Sequence, residues 1–182
     1  MLSKSQTPSL TRPSRCSLPL AISVLFAASG CQDRSADVQL DNPELAAFVR
    51  LMMPKEIEIQ HYLTRPFDFA GTGDADGLEV ILAALDPFGD PVKCIGTFHF
   101  KLHTRRMASG DKFDKQIALW TVAIDTDRSL IEYWDRYSRY YRFPLKLSEG
   151  TLPPGHYILS AQLVTPTGDK LFDEYEFTHG ES

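Results

Sequence analysis

The densest concentration of chemically capable side chains lies in Thr126–Arg142 (TDRSLIEYWDRYSRYYR), where Tyr133, Trp134, Tyr137, Tyr140 and Tyr141 are interleaved with Arg128, Arg136, Arg139 and Arg142. Aromatic faces stack on sugar rings or peptide side chains, and guanidinium groups bind carboxylates bidentately, so Tyr133, Trp134, Arg136, Tyr137, Arg139 and Tyr140 are candidate ligand-binding residues. The same composition also suits a face that caps an open end of a hydrophobic core, with arginines against the ring edges and paired with Asp127, Glu132 and Asp135. Asp68, Asp74 and Asp76 form a second, weaker constellation, since Ca²⁺ takes several oxygens from alternating residues. Their register fails an EF-hand: with Gly77 as the turn glycine the bidentate position falls on Ala83. A turn of solvated carboxylates accounts for them equally. His99 and His103 would chelate zinc on a helix, but on a strand four residues separate them by ~13 Å, too far for one ion. His61, His156 and His179 have no local partners in the sequence. No cofactor motif, nucleophile arrangement or glycine-rich phosphate loop is visible, so a non-enzymatic role is expected.

Charge narrows the partners. Residues 1–30 carry Lys4, Arg12 and Arg15 and no acid, leaving 16 basic against 24 acidic side chains in the remainder, a net of −8. So acidic a body repels phosphate backbones, and nucleic acid is not an expected partner.

The elements that must hold these groups read as β-structure behind one helix. Asn42 suits an N-cap, Pro43 the first helical position and Glu44 the positive end of the dipole, and Leu45, Phe48, Leu51 and Met52 follow at helical spacing until Pro54. A helix over 43–53 is expected. The period then falls to two: Ile57 and Ile59, Leu78 to Leu82, Phe98 to Leu102, residues 116–124, Tyr141 to Leu147, Tyr157 to Leu163 and residues 170–177 give seven strands. Asp86-Pro87-Phe88-Gly89-Asp90, Pro153-Pro154-Gly155 and Thr165-Pro166-Thr167-Gly168-Asp169 supply turns. Ser129-x-x-Glu132 matches a capping box, which predicts a short helical insertion near 129–138 with Leu130, Tyr133, Trp134 and Tyr137 on one face. The expected fold is mainly β, a seven-stranded antiparallel sandwich over 42–182, because one-faced strands must bury a side against a second sheet.

That pattern is similar to immunoglobulin-like and transthyretin-like sandwiches. An antibody-type inter-sheet disulfide is excluded, since Cys94 stands alone in this region and reads as a small buried apolar residue of a strand. Asp76-Gly77-Leu78-Glu79-Val80 and Asp86-Pro87-Phe88-Gly89-Asp90-Pro91-Val92-Lys93 also resemble a stretch found in a group of bacterial lipoproteins, a resemblance that implies no activity.

The amino terminus carries a second resemblance. Polar and basic residues precede the apolar run Leu18 to Ala28, too short to span a bilayer, in the order of a secretory signal. At its end Ala28-Ser29-Gly30-Cys31 resembles the lipobox of bacterial lipoproteins, with Ala28 where leucine is commoner. The resemblance implies cleavage between Gly30 and Cys31 and a lipid on Cys31, with residues 1–30 lost, 31–41 a flexible tether and the chain held at a membrane. Gln32 follows the cysteine instead of the aspartate associated with inner-membrane retention, which implies the outer membrane facing the periplasm, or the cell surface. Ala28-Ser29-Gly30 also fits ordinary signal peptidase, which would release a soluble exported protein. Expected partners are the membrane, through the lipid, and an envelope protein or polysaccharide; oligomeric state stays open.

Overall fold

The computed structural model describes residues 42–106, 110 and 112–180, so Gly30, Cys31 and the 31–41 tether lie outside the described residues. In chain order the elements are α1 (Pro43–Met52), β1 (Glu56–Ile59), β2 (Arg65–Phe67), β3 (Gly77–Leu85), β4 (Gly96–Arg105), β5 (Phe113–Ile124), α2 (Asp127–Tyr133), β6 (Trp134–Asp135), β7 (Tyr140–Lys146), β8 (Gly155–Val164) and β9 (Lys170–His179). The architecture is mainly β, with two short helices and two antiparallel sheets that do not close on each other. One sheet runs β1-β3-β7-β6 with β2 also on β3, and the other runs β5-β4-β8-β9.

Among the described residues there are nine strands where the periodicity gives seven. The two additions are β2, whose Pro66 suits only an edge, and β6, two residues long. β1 and β2 lie along the same edge of β3, β1 against Leu82–Leu85 and β2 against Gly77–Glu79. Thr64 fills the gap between them. Its hydroxyl donates to the Ile81 carbonyl at 3.2 Å and accepts the Ile81 N–H at 3.0 Å, standing in for a missing strand residue. Gly77, at the start of β3, is required by close approach, since a Cβ there would sit 2.4 Å from the Leu145 carbonyl oxygen on β7.

Alternation assigns the faces. Leu78, Val80, Leu82 and Ala84 on β3 and Tyr141, Phe143 and Leu145 on β7 point inward. They meet Phe98, Phe100 and Leu102 on β4 and Tyr157, Leu159, Ala161 and Leu163 on β8. At the centre the Phe143 ring packs at 4.9 Å from both Phe98 and Phe100. The open seams between the sheets are laced by single hydrogen bonds. On one side the Ile59 N–H donates to the Asp173 carboxylate at 2.6 Å; on the other the Trp120 indole donates to the Lys146 carbonyl at 2.6 Å. Asp173 thereby occupies an N–H on the outer edge of β1, a site where a free strand edge would otherwise invite pairing.

α1 is built as its sequence suggests. The Asn42 side chain accepts from the N–H groups of Glu44 and Leu45, and Pro43 takes the first position. None of its residues is buried, however. Among the described residues no helix is long and apolar enough to cross a membrane.

Candidate functional site

The 126–142 segment carries the chain from one sheet to the other, and it does so differently from the expected helix over 129–138. The N-cap is Thr126, three residues earlier: its hydroxyl accepts the Ser129 N–H, and Ser129 Oγ accepts the Thr126 N–H. Ser129 is therefore the N3 partner of the capping box. The helix ends at Tyr133 because Trp134 and Asp135 pair with Tyr141 and Tyr140 as β6. Leu130, Tyr133, Trp134 and Tyr137 consequently do not form one helical face.

The candidate binding residues part into three groups. Tyr133 and Trp134 turn to the core, Tyr133 stacked on Phe143 at 5.3 Å and Trp134 edge-on to Tyr141 at 4.9 Å. For these two the core-capping account holds. Tyr137 is at the tip of the β6–β7 turn, 93 % exposed. The turn under it is well fastened: Asp135 Oδ1 accepts the N–H groups of Tyr137 at 2.8 Å and Ser138 at 3.4 Å, Arg139 adopts φ 63°, and its guanidinium donates to the Pro91 carbonyl at 2.7 Å. Those main-chain N–H groups hold the Asp135 carboxyl below its ordinary range, with Arg142 adding to the effect. Tyr140, Arg136 and Arg139 face the hollows on either side of this ridge.

The first hollow is a groove of about 430 Å³ on the outer face of the β1-β3-β7-β6 sheet, lined among others by Tyr62, Arg65, Glu79, Tyr140 and Arg142. Glu79 is its fixed point. The side chain is 15 % exposed and takes Arg65 at 3.3 Å on one oxygen and Arg142 at 2.9 Å on the other. Two cations, Arg65 and Arg142, face two carboxylates, Glu79 and Asp135, so the groove is balanced in charge, and it is flanked by the fully exposed Tyr62 and the half-buried Tyr140. Such a surface offers guanidinium N–H groups to a carboxylate and phenol rings for stacking. Sequence reading missed Tyr62, Arg65 and Glu79. The available signal was the lone acid in the apolar run Leu78 to Leu85.

The second hollow, about 560 Å³, is an open cleft lined by Met52, Pro91, Val92, Lys93, Trp134, Arg136 and Arg139. The Lys93 ammonium lies 5.9 Å above the Trp134 ring.

Asp68, Asp74 and Asp76 do not converge on a cation. Asp68 is committed to its own loop, accepting the N–H groups of Gly71 at 2.7 Å, Thr72 at 3.1 Å and Gly73 at 2.7 Å, which holds its carboxyl below the ordinary value. Asp76 accepts the Phe69 N–H at 2.6 Å. Among the described residues no group of three or more His, Cys, Asp or Glu is arranged to hold a metal ion. The histidines are dispersed: His99 bonds Thr121 at 3.1 Å, His103 packs against Phe113 at 5.1 Å, His156 bonds Thr178 at 2.9 Å, and His61 stacks on Tyr175 at 4.6 Å.

Cys94 is buried, as its sequence context suggests, but in the connection between β3 and β4 rather than in a strand. Burial pushes its thiol up to about 11, with the Tyr141 hydroxyl pulling weakly the other way. A thiol so placed stays protonated and is a poor nucleophile. Thiol reagents added at neutral pH should therefore label Cys94 at the rate of global unfolding. Fast labelling without denaturant would show the burial to be wrong. Because the folded value lies above the unfolded one, this group's contribution is intact below the unfolded pKa. Stability should fall as pH rises from about 9 toward about 11, an effect visible as loss of melting temperature absent in Cys94→Ala.

Comparison of the chain with protein-family models, with curated proteins and with solved structures found no match.

Proposed function

We propose that the chain is a non-catalytic docking module of the bacterial envelope, exported by its amino-terminal signal and anchored through a lipid on Cys31. The body is read as a sandwich of the immunoglobulin-like or transthyretin-like kind, used as a rigid support for the ridge at 135–140. The observation that carries this reading is the fastened turn under Tyr137. Exposed aromatics normally cost interface-free proteins solubility, and tyrosine and arginine held in one conformation are what protein interfaces concentrate at their centres. Tyr137 on the ridge, with Tyr140, Arg142 and Tyr62 lining the groove beside it, provide that set.

Photo-crosslinking groups at position 137, in cells with an intact envelope, test this. A discrete cross-linked species from 137, missing when the group is at Phe172, which is also exposed but lies on the other sheet, is expected. Equal or no cross-linking at the two positions would remove the ridge as a docking site.

Recognition of a glycan or peptidoglycan fragment is the second reading, favoured by the pairing of Tyr62 and Tyr140 around the Arg65–Glu79–Arg142 cluster. Under it, residues 32–182 bind anionic envelope fragments saturably by calorimetry and Tyr140→Ala loses about 1–3 kcal/mol. Absence of heat with fragments and polysaccharide leaves a protein partner as the occupant.

A further inference from the structure

Two features left aside by the ridge meet on one side of the fold. Along α1, Ala46 and Val49, with Met53 just after it, are partly covered, while Leu45, Phe48, Leu51 and Met52 remain 46–57 % exposed. An amphipathic helix whose second apolar stripe faces water is unsatisfied. Met52 at its end also lines the cleft that holds Lys93, Arg136 and Arg139 and no acidic residue. That cleft is organised: Arg139 is tied to the Pro91 carbonyl and Lys93 sits over Trp134.

From this juxtaposition we infer that α1 and the Lys93/Arg136/Arg139 cleft together form a face that docks on an anionic lipid bilayer, with the apolar stripe in the interface and the cleft against phosphate headgroups. Charge complementarity selects this occupant. The chain after residue 30 carries a net charge of −8, so an anionic bilayer repels most of the molecule and attracts it through a cationic patch. Chemistry of this kind suits interfacial helices, which pair buried apolar side chains with basic neighbours. The inference rests on the envelope reading in one respect, that a membrane is within reach: eleven residues from Cys31 to Asn42 span at most ~40 Å. Docking would then fix which way the ridge at Tyr137 points, since the patch and the lipid engage one surface.

Vesicle flotation tests it with residues 32–182, which include every described element from α1 to β9 and omit the apolar run Leu18 to Ala28. Flotation with phosphatidylcholine vesicles containing phosphatidylglycerol is expected, weakening with added salt and much reduced on phosphatidylcholine alone. Phe48→Ser should weaken binding by on the order of ten-fold. The pair Lys93→Glu and Arg136→Glu should weaken it at least as much on the anionic vesicles, since each basic residue is worth about five-fold. All of these positions are at the surface, and an unchanged melting temperature confirms that the variants fold. Three outcomes would overturn the proposal: no flotation at low salt, flotation indifferent to both variants, or a dimer in solution that Phe48→Ser dissociates, which would give the face to a second copy. Cys31 acylation and cross-linking at position 137 are read separately, so failure here and failure of the envelope reading are distinguishable.

Discussion

Phe143→Ala is expected to lower the unfolding free energy by about 3–5 kcal/mol, a large part of the roughly 5–15 kcal/mol that holds an ordinary domain together. The ring is fully buried and is the point where both sheets and α2 meet. It touches Phe98 and Phe100 from the opposite sheet, Tyr133 from the connecting segment and Tyr141 beside it on β7. These neighbours belong to three separate stretches of chain, each paired through its own main chain, so they cannot collapse together to fill the vacated space. Urea denaturation would read the effect as a lower midpoint with an unchanged slope. Phe172→Ala on the exposed face of β9 provides the comparison, with an expected change within about 0.5 kcal/mol. Similar losses at 143 and 172 would mean that the sheets do not share this core.

Tyr141→Phe keeps every ring contact and removes one oxygen, yet it should cost about 2–4 kcal/mol. The buried Tyr141 hydroxyl accepts the Cys94 N–H at 2.7 Å and donates to the Cys94 carbonyl at 3.2 Å. Phenylalanine leaves both main-chain groups without partners in a place closed to water, and each unsatisfied group costs about 1–3 kcal/mol. Burial also drives the Tyr141 phenol far above its ordinary value, so it remains a neutral donor at every pH at which the fold survives. The bond ties β7 to the connection preceding β4 and so holds one sheet to the other. A second consequence separates this from generic loss of packing: Cys94 should become accessible to thiol reagents by local opening, faster than the measured global unfolding rate of the variant. A melting temperature close to wild type would show that water replaces the hydroxyl.

How much of this was legible in the sequence depends on the range of the interaction. Ile57 and Ile59, and Phe98, Phe100 and Leu102, alternate with polar residues because one face of each strand is buried, and that pattern is carried by neighbours two apart. The start of α1 was equally local, since Asn42 caps two N–H groups within its own first turn. In Asp86–Asp90 the Asp86 carboxylate accepts the N–H groups of Phe88 and Asp90, so the turn is written in five residues. The connecting segment was misread because two cap alternatives, Thr126 and Ser129, lie three residues apart. Only the pairing of Trp134 with Tyr141 decides where the helix must stop. That pairing is a contact between strands, against which helical spacing of aromatics has little weight. The groove was hidden for the same reason. Arg65 and Arg142 lie 14 and 63 residues from Glu79 and meet on it only because β2 and β7 pair with β3 along its two opposite edges.

The central claim, an exported module held at a membrane by Cys31, is tested most directly by the mass of the mature protein recovered from the membrane fraction of the producing cell. The account predicts a chain beginning at Cys31 and heavier than its sequence by a diacylglyceryl group, usually with a further acyl chain, and loss of that mass and of membrane retention in Cys31→Ser. An unmodified chain in the soluble fraction, whatever its first residue, would contradict it.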